Sequence, residues 1–278
     1  MRYSILDITS SQVAAVGGQN VKAMRHSGIV FATLTEAQAK QLASLGYTVQ
    51  SEKIVKADTV TPPTPIEATP TYSPAQFLYI AKLEELRNIT DPPLYGEGFN
   101  LAILDTGIRE THDQMRGRVI YRKNYTTDPM RGGFDHGTGI AAIAVALAPL
   151  ANILNMKVLG ESGAGTVEEV VIAIDDCIDL LVTDPDIAPH VINLSLGAID
   201  DGNVNDPLRV ACRAAINNGI WVIASAGNSG PAGMSITSPA TEKYVVAVGS
   251  VRYLYGSETF IVSDFSSRGP TRQGLVKP

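Results

Sequence analysis

The amino-acid sequence predicts an α/β protein with three layers, a parallel sheet and helices on both of its faces, preceded by a small α+β domain. The sheet is predicted by short, continuously apolar segments at 101–104, 153–158, 191–196, 220–226 and 245–248. Strands of this kind are typical of parallel sheets that are buried on both faces. Helical patterns with capping residues separate most of these segments, as the crossovers of a parallel sheet require.

The strongest helical pattern covers residues 166–181. Thr166 and Glu169 form a capping box at its start. The apolar residues behind the box share one helical stripe: Val167, Val170, Val171, Ile174, Ile178 and Leu181. A second helix is predicted over 205–218, with Pro207 in its first turn.

Residues 1–57 predict a separate small domain of the split βαβ type. Strand character is found at 3–8, 28–34 and 47–55. A helix is predicted over 35–45, where Thr35 and Gln38 form a capping box and Gly46 follows the last turn.

Residues 58–73 are rich in Pro and Thr and lack helical periodicity, so we expect an extended linker there. Ser73 and Gln76 form a capping box for a helix that begins at Pro74. This helix opens the large domain, which we assign to residues 74–278.

Composition and charge exclude several classes of partner. Asp and Glu number 28 against 22 Lys and Arg, and the resulting net charge of −6 argues against binding to nucleic acid. The longest uncharged apolar run, 139–153, is too short to cross a bilayer, so we expect no membrane segment. Cys177 and Cys212 lie on apolar helix faces and are expected to be buried thiols rather than a disulfide.

The sequence does not determine the cellular compartment. Asp7 interrupts any apolar stretch behind Met1, so no secretory signal is expected. If Met1 is the true start, the protein is cytoplasmic.

Three motifs are candidates for a functional site, and two of them lie at or after predicted strands, where functional groups of open α/β sheets collect. They are ILDTG at 103–107, HGTG at 136–139 and AGNSG at 226–230. An Asp-Thr-Gly loop also occurs in aspartic proteases, but those proteins are all-β and need a second such Asp. This chain has one, Asp105, and is rich in helical patterns.

His136 begins an Ala-rich helical pattern. The positive end of the helix macrodipole disfavours the protonated imidazole, so we expect a neutral base there. Asp135, one residue earlier, is expected to accept hydrogen bonds from the first-turn amides as the N-cap.

Taken together in this order, the three motifs resemble those of the subtilisin-like serine proteases, the subtilase family. The resemblance implies a subtilisin-like three-layer sheet and a serine endopeptidase that needs no cofactor for its chemistry and acts on polypeptides. By the habit of the family, the protein would be secreted unless Met1 is the true start. Asp105 would orient the imidazole, His136 would take a proton from a serine, and Asn228 would donate to the oxyanion. Without the family resemblance, Asn228 would be a turn residue that tolerates an unusual φ.

By the same resemblance, residues 1–57 would be a ferredoxin-like propeptide that acts as an intramolecular inhibitor. The two edges of the substrate groove would be formed by Ser162, Gly163 and Gly165 on one side and Ser195, Leu196 and Gly197 on the other, with Ala226 and Gly227 close by. An extended peptide would lie between the edges as an added strand.

The pocket for the substrate residue before the cleaved bond, the P1 residue, would be lined by Leu196, Ala224, Ser225, Ala226 and residues 237–239. It contains no charged side chain, so we expect apolar P1 residues to be preferred over Lys or Arg.

Two nucleotide-binding interpretations fail. The glycines of 160–165 imitate a P-loop, but Thr166 stands where the Lys is needed and Val167 replaces the magnesium ligand. The Gly96-Glu97-Gly98 segment precedes its strand, and no dinucleotide-binding fingerprint follows that strand.

No metal site is predicted. Asp201, Asn203 and Asn205 have the spacing of a calcium loop, but Asp206 replaces the required Gly and Cys212 the bidentate Glu. We therefore expect a solvated loop. A structural calcium ion has no support from these residues.

The sequence departs from the family pattern in two places. Gly139 stands where the family usually has a second His, and the Gly-Thr-Ser turn that carries the nucleophile does not occur. Ser266 and Ser267 are expected in a surface loop, far from His136. We therefore expect the 278 residues to be an inactive fragment of an endopeptidase; the alternative hypothesis is a non-catalytic peptide-binding protein with the same fold.

Overall fold

A computed structural model describes residues 1–59, 82–130, 134–254 and 259–278. The first of these segments contains a βαββαβ unit whose elements are β1 (Arg2–Leu6), α1 (Ser10–Ala15), β2 (Gln19–Ala23), β3 (Val30–Thr33), α2 (Glu36–Ser44) and β4 (Thr48–Ser51). Its antiparallel strands have the order β2-β3-β1-β4, the ferredoxin-like arrangement. We call residues 1–57 the N-terminal unit.

The N-terminal unit has its own apolar core, in which Ile5, Val13, Val30 and Leu42 are buried. Helix α2 agrees with the prediction, because Thr35 Oγ1 accepts from the Gln38 amide at 3.3 Å and Gln38 Oε1 accepts from the Thr35 amide at 2.8 Å.

The predicted strand at 47–55 is wrong as a single element. It divides into β4 and a separate strand, β5 (Ile54–Ala57), which pairs outside the N-terminal unit. Of the predicted linker, residues 58 and 59 are described; the rest of it and the predicted helix start at 74 lie outside the described residues. A short helix, α3 (Leu83–Arg87), precedes the large domain's first strand.

Six parallel strands form the central sheet. They are β6 (Asn100–Asp105), β7 (Val119–Asn124), β8 (Asn152–Lys157), β10 (Val191–Leu194), β12 (Trp221–Ser225) and β13 (Val246–Val248), in the order β13-β12-β10-β6-β8-β7. The five predicted apolar segments are all strands of this sheet. The edge strand β7 is an addition to the prediction.

Helices cover both faces of the sheet, which confirms the three-layer architecture. Ala102 and Leu104 of β6 point into a core shared with α5 (Val167–Thr183) and α6 (Pro207–Asn217). Ile103, between them, points to the opposite face and packs with Ala141 and Val145 of α4 (His136–Leu147). This alternation follows from the two-residue period of a strand.

Two smaller sheets complete the described fold. In the first, β5 lies between β9 (Ala164–Thr166) and β11 (Leu196–Gly197) and is antiparallel to both. The second pairs β14 (Val251–Leu254) with β15 (Thr259–Val262).

Both cysteines are buried thiols, as predicted. Within the described ranges, none of the helices is long and apolar enough to cross a membrane.

Candidate active site

A carboxylate and an imidazole meet at the carboxyl end of the central sheet. Asp105 is the last residue of β6 and its side chain is fully buried. Both of its carboxylate oxygens lie 2.9 Å from His136 Nδ1. The Thr106 amide donates to Asp105 Oδ1 at 2.6 Å, which fixes the carboxylate toward the ring.

The start of α4 is tied to the end of β6 by Thr106. Its hydroxyl accepts from the Gly137 amide at 3.0 Å and donates to the Phe134 carbonyl at 3.0 Å. Residue 137 must be Gly, because a Cβ there would lie 2.5 Å from the Gly107 carbonyl oxygen. These contacts bring the first helical residue, His136, against Asp105.

The pKa of His136 is raised above its ordinary value of 6.5. The hydrogen bond with Asp105 is the largest cause, and the charges of Asp105 and Asp58 add to it, while burial of the ring opposes them. The expected lowering by the macrodipole is therefore wrong in sign. A carboxylate in direct contact outweighs the partial charge at a helix end.

Asp135 does not cap α4 with its side chain, contrary to the sequence prediction. Its carboxylate instead forms an ion pair with Arg109 and accepts from the Thr138 hydroxyl at 3.4 Å. The Thr138 hydroxyl also accepts from the Arg109 amide at 2.9 Å. Asp135 is thus engaged with the loop behind β6.

We expect Asp105→Asn to lower the pKa of His136, because the substitution removes both the strongest hydrogen bond and the nearest charge on the ring. A ¹H–¹⁵N NMR titration of the 278-residue protein would measure this. Asp135→Asn is a matched control, because Asp135 is the neighbour of His136 in the sequence and its charge is not among the causes of the His136 pKa shift. Equal pKa values in wild type and Asp105→Asn would contradict the assigned pair.

Asn228 lies in the bend behind β12. Gly227 before it has φ +100°, whereas Asn228 itself does not adopt a positive φ. The turn interpretation that depended on an unusual φ of this Asn therefore does not describe it. Its Nδ2 is buried without a hydrogen-bond partner among the described residues, a costly state for an amide donor.

Strand β5 occupies the groove between β9 and β11. Leu196 and Gly197 pair with Ala57 and Lys56, and Gly165 on the other edge pairs with Val55. The Ala57 amide donates to the Gly163 carbonyl at 2.8 Å, and the Asp58 amide donates to the Ser195 carbonyl at 3.0 Å. The two predicted edges of the substrate groove thus lie on either side of one extended segment.

The other predicted groove residues lie near this strand or support it. Ser162 is exposed in the turn before β9. Ala226 is held by the Val248 carbonyl and the Thr237 amide, at 2.8 and 3.0 Å. The Gly227 amide donates to Ser225 Oγ at 3.1 Å. Ala226 and Gly227 therefore shape the bend that carries Asn228.

Sequence reasoning missed Lys157 and Asp58. Lys157 is fully buried, and its ammonium donates to the carbonyls of Thr106 at 2.7 Å and Leu159 at 2.8 Å, so it links the Asp105 loop to the chain that leads into β9. Burial lowers its pKa. The signal was a lone Lys inside an apolar strand. No sequence pattern pointed to Asp58, which begins a segment rich in Pro and Thr.

The possible calcium loop is held by protein donors. Lys53 Nζ lies 2.9 Å from carboxylate oxygens of Asp201 and Asp206, and the Asn203 amide donates to Asp201 Oδ1 at 2.9 Å. A separate cluster joins His26 to Asp175 and Asp179, where His26 Nε2 lies 2.8 Å from Asp179 Oδ1. Asp175 is already engaged by the amides of Arg25 and His26, both at 2.9 Å.

The fold and the site define an α/β protein with a buried carboxylate–imidazole pair beside a groove that holds an extended strand. The chain belongs to the subtilase family of subtilisin-like serine proteases, whose family model matches residues 96–278.

Similar proteins agree with this assignment. Serine protease AprX of Bacillus subtilis (strain 168) is 34% identical over 203 residues, which cover 66% of this chain and 46% of the relative. Subtilisin of Bacillus sp. (strain TA39) is 33% identical over 190 residues, 63% of this chain and 44% of the relative. The chain thus spans less than half the length of these two curated relatives.

Solved structures agree as well. The S41 psychrophilic protease superposes with a TM-score of 0.55 at 30% identity, over 68% of this chain and 66% of that one. Fervidolysin from Fervidobacterium pennivorans, a keratinolytic enzyme related to subtilisin, gives a TM-score of 0.68 at 20% identity, over 97% of this chain and 46% of that one. The second similarity concerns the fold alone.

Proposed function

We propose that this chain is part of a serine endopeptidase that hydrolyses peptide bonds with an Asp/His/Ser triad. The observation that carries the proposal is the 2.9 Å contact of both Asp105 oxygens with His136 Nδ1. Asp105 holds the ring and stabilises its protonated form. Because Nδ1 is bound to the carboxylate, Nε2 is the nitrogen that takes the proton of the nucleophilic hydroxyl and passes it to the leaving amine.

Asn228 would supply one donor of the oxyanion hole. Its Nδ2 is a buried donor without a partner in the described part of the chain, so it is available to the negative charge that develops on the carbonyl oxygen. An amide held in this state before the substrate arrives needs no reorganisation during the reaction.

The nucleophile is not supplied by these 278 residues, since no Gly-Thr-Ser turn occurs in them. Ser266 and Ser267 differ from the sequence expectation, because both are buried rather than in a surface loop. Ser266 Oγ accepts from the Ser250 amide at 2.9 Å, and Ser267 Oγ accepts from the Ser229 amide at 3.0 Å. These bonds support a structural role for both hydroxyls.

The N-terminal unit would act as the intramolecular inhibitor. Strand β5 fills the groove as an added strand, the way an extended substrate would bind. The unit is also attached to the start of α5, where the Arg2 guanidinium binds Glu168 through two nitrogens at 2.6 and 2.7 Å. Occupation of the groove and a second, charged attachment would together exclude other peptides.

The alternative hypothesis, a non-catalytic peptide-binding protein, explains the groove. It gives no reason for a carboxylate buried against an imidazole, because binding a peptide backbone needs neither an oriented base nor an oxyanion donor.

A fluorophosphonate probe, which labels activated serines, tests the proposal. We expect the 278-residue protein to remain unlabelled and the complete gene product to be labelled and to cleave a peptide library. Stoichiometric labelling of the 278-residue protein that His136→Ala abolishes would place the nucleophile within these residues. A complete gene product that binds peptides without being labelled would favour the non-catalytic alternative.

A further inference from the structure

Asp58 follows β5 directly and is the last residue whose backbone is hydrogen-bonded to the groove edges. Ala57 donates to one edge at Gly163, and Asp58 donates to the other at Ser195. The Thr59 amide then turns back to the Ala57 carbonyl at 2.9 Å. The extended conformation therefore ends at Asp58.

The side chain of Asp58 enters the bend behind β12. Its carboxyl lies within reach of the Ser225 hydroxyl, and the charges of His136 and Asp105 act on it. Asp58 Oδ2 is buried without a hydrogen-bond partner among the residues described. The bond that follows Asp58 thus lies where the extended segment leaves the groove edges, and the Asp58 side chain faces Ser225 of the predicted P1 pocket, close enough to His136 and Asp105 for their charges to act on it.

Ser225 is the hydroxyl in this pocket that faces its occupant; its Oγ accepts from the Gly227 amide at 3.1 Å, which leaves its hydrogen to donate to the occupant. The other two hydroxyls of the predicted lining are bound elsewhere: Thr237 Oγ1 donates to the Ala226 carbonyl at 3.3 Å, and Ser238 Oγ donates to Asp206 at 2.8 Å. The pocket otherwise consists of buried apolar side chains, such as Leu196 and Ala224. It therefore offers one polar contact to a short polar side chain.

We propose that the Asp58–Thr59 peptide bond is the bond at which this protein processes itself, and that Ser225 makes its P1 pocket select Asp or the isosteric Asn. This inference rests on the proposed function and replaces the expectation of apolar P1 residues. Burial raises the pKa of Asp58, opposed by the hydrogen bond with Ser225 and by the charge of His136, while Asp105 adds to the rise. An uncharged carboxyl or amide is the form that such a pocket accommodates.

The reaction is hydrolysis and consumes one water molecule. The bond between the Asp58 carbonyl carbon and the Thr59 nitrogen breaks, the water oxygen remains on Asp58 as a new α-carboxylate, and Thr59 receives a proton through His136 and becomes a new amino terminus.

The first test is the amino terminus of the processed protein. The complete gene product is expressed, allowed to mature, and analysed by N-terminal sequencing and intact mass; we expect Thr59 as the first residue. A single different terminus in an active protein would overturn the processing site without affecting the proposed function. A protein that cleaves neither itself nor a peptide library would overturn the proposed function, and this inference with it.

The second test measures kcat/KM on peptides Ile-Val-Lys-Ala-X-Thr, in which X is Asp, Asn, Leu or Lys. We expect Asp and Asn to exceed Leu by about tenfold, the factor that one buried hydrogen bond supplies. Ser225→Ala should reduce the Asp-to-Leu ratio by about the same factor, and because the result is a ratio, partial misfolding does not imitate it. Ser235→Ala, whose hydroxyl donates to the Ala232 carbonyl and accepts from the Arg268 amide rather than from a pocket residue, is the control and should leave the ratio unchanged. A Leu preference, or an unchanged ratio in Ser225→Ala, would overturn the assignment of Ser225.

Discussion

Replacing His136 with Ala should lower peptide hydrolysis by the complete protein at least about 10⁴-fold, because members of a triad act as a unit. The variant should lower kcat rather than raise KM. An extended segment such as β5 is bound by backbone pairing with the groove edges and not by the imidazole. Steady-state kinetics on an extended peptide would measure it.

His112→Ala is the matched control for this variant. His112 lies at the start of a short 3-10 turn, where its Nδ1 accepts from the Gln114 amide at 3.4 Å, and its loss should leave kcat within about twofold. The wild-type rate should also decline toward acid with a midpoint above pH 6.5, because the base must be neutral and its pKa is raised. A loss of less than tenfold in His136→Ala would remove this residue from proton transfer.

Val55→Asp should weaken inhibition by the N-terminal unit at least about 100-fold. Val55 is fully buried and belongs to the core shared with the central sheet, so the variant places an unpaired carboxylate in an apolar pocket at a cost of several kcal/mol. The inhibition constant of residues 1–57, added in trans to the processed enzyme, is the measured quantity.

Lys56→Asp provides the comparison, because Lys56 is the neighbouring residue of β5 and its side chain is exposed. The same carboxylate there remains in water and should change the inhibition constant by less than about tenfold. Equal weakening by both substitutions would show that charge, rather than occupation of the buried pocket, decides binding. Absence of inhibition by wild-type residues 1–57 at high micromolar concentration would contradict the inhibitor role.

The central sheet could be predicted because burial on both faces leaves continuous apolar segments. Strand β7 could not, because it is at the edge of the sheet and consists of partly buried and exposed residues, with Arg122 and Lys123 among the exposed ones. Helix α1 was not predicted because its six residues are too few to show a helical pattern, although Thr9 and Gln12 form a capping box there. That box was the available signal.

The candidate site was predictable where a residue lies in a recognisable short motif and was not where distant segments meet. Asp105 and His136 lie in such motifs, and the resemblance gave their pairing. The direction of the His136 pKa shift was predicted wrongly. The prediction considered the helix end next to His136 and not the carboxylate of Asp105, which lies 31 residues earlier. Asp58 depends on a still more distant contact, since its partner Ser195 follows well over a hundred residues later.

The same separation affects synthesis. The N-terminal unit is complete when residue 57 has been made, whereas the edges that receive β5 begin at Ala164, about a hundred residues later. At about 5–20 residues per second, the ribosome needs on the order of 5–20 s for that interval. During this time β5 is an unpaired strand that exposes its backbone groups to other chains. The charge of Lys56 and the nearby Lys53 protects it, since lysine on an open strand discourages pairing between copies.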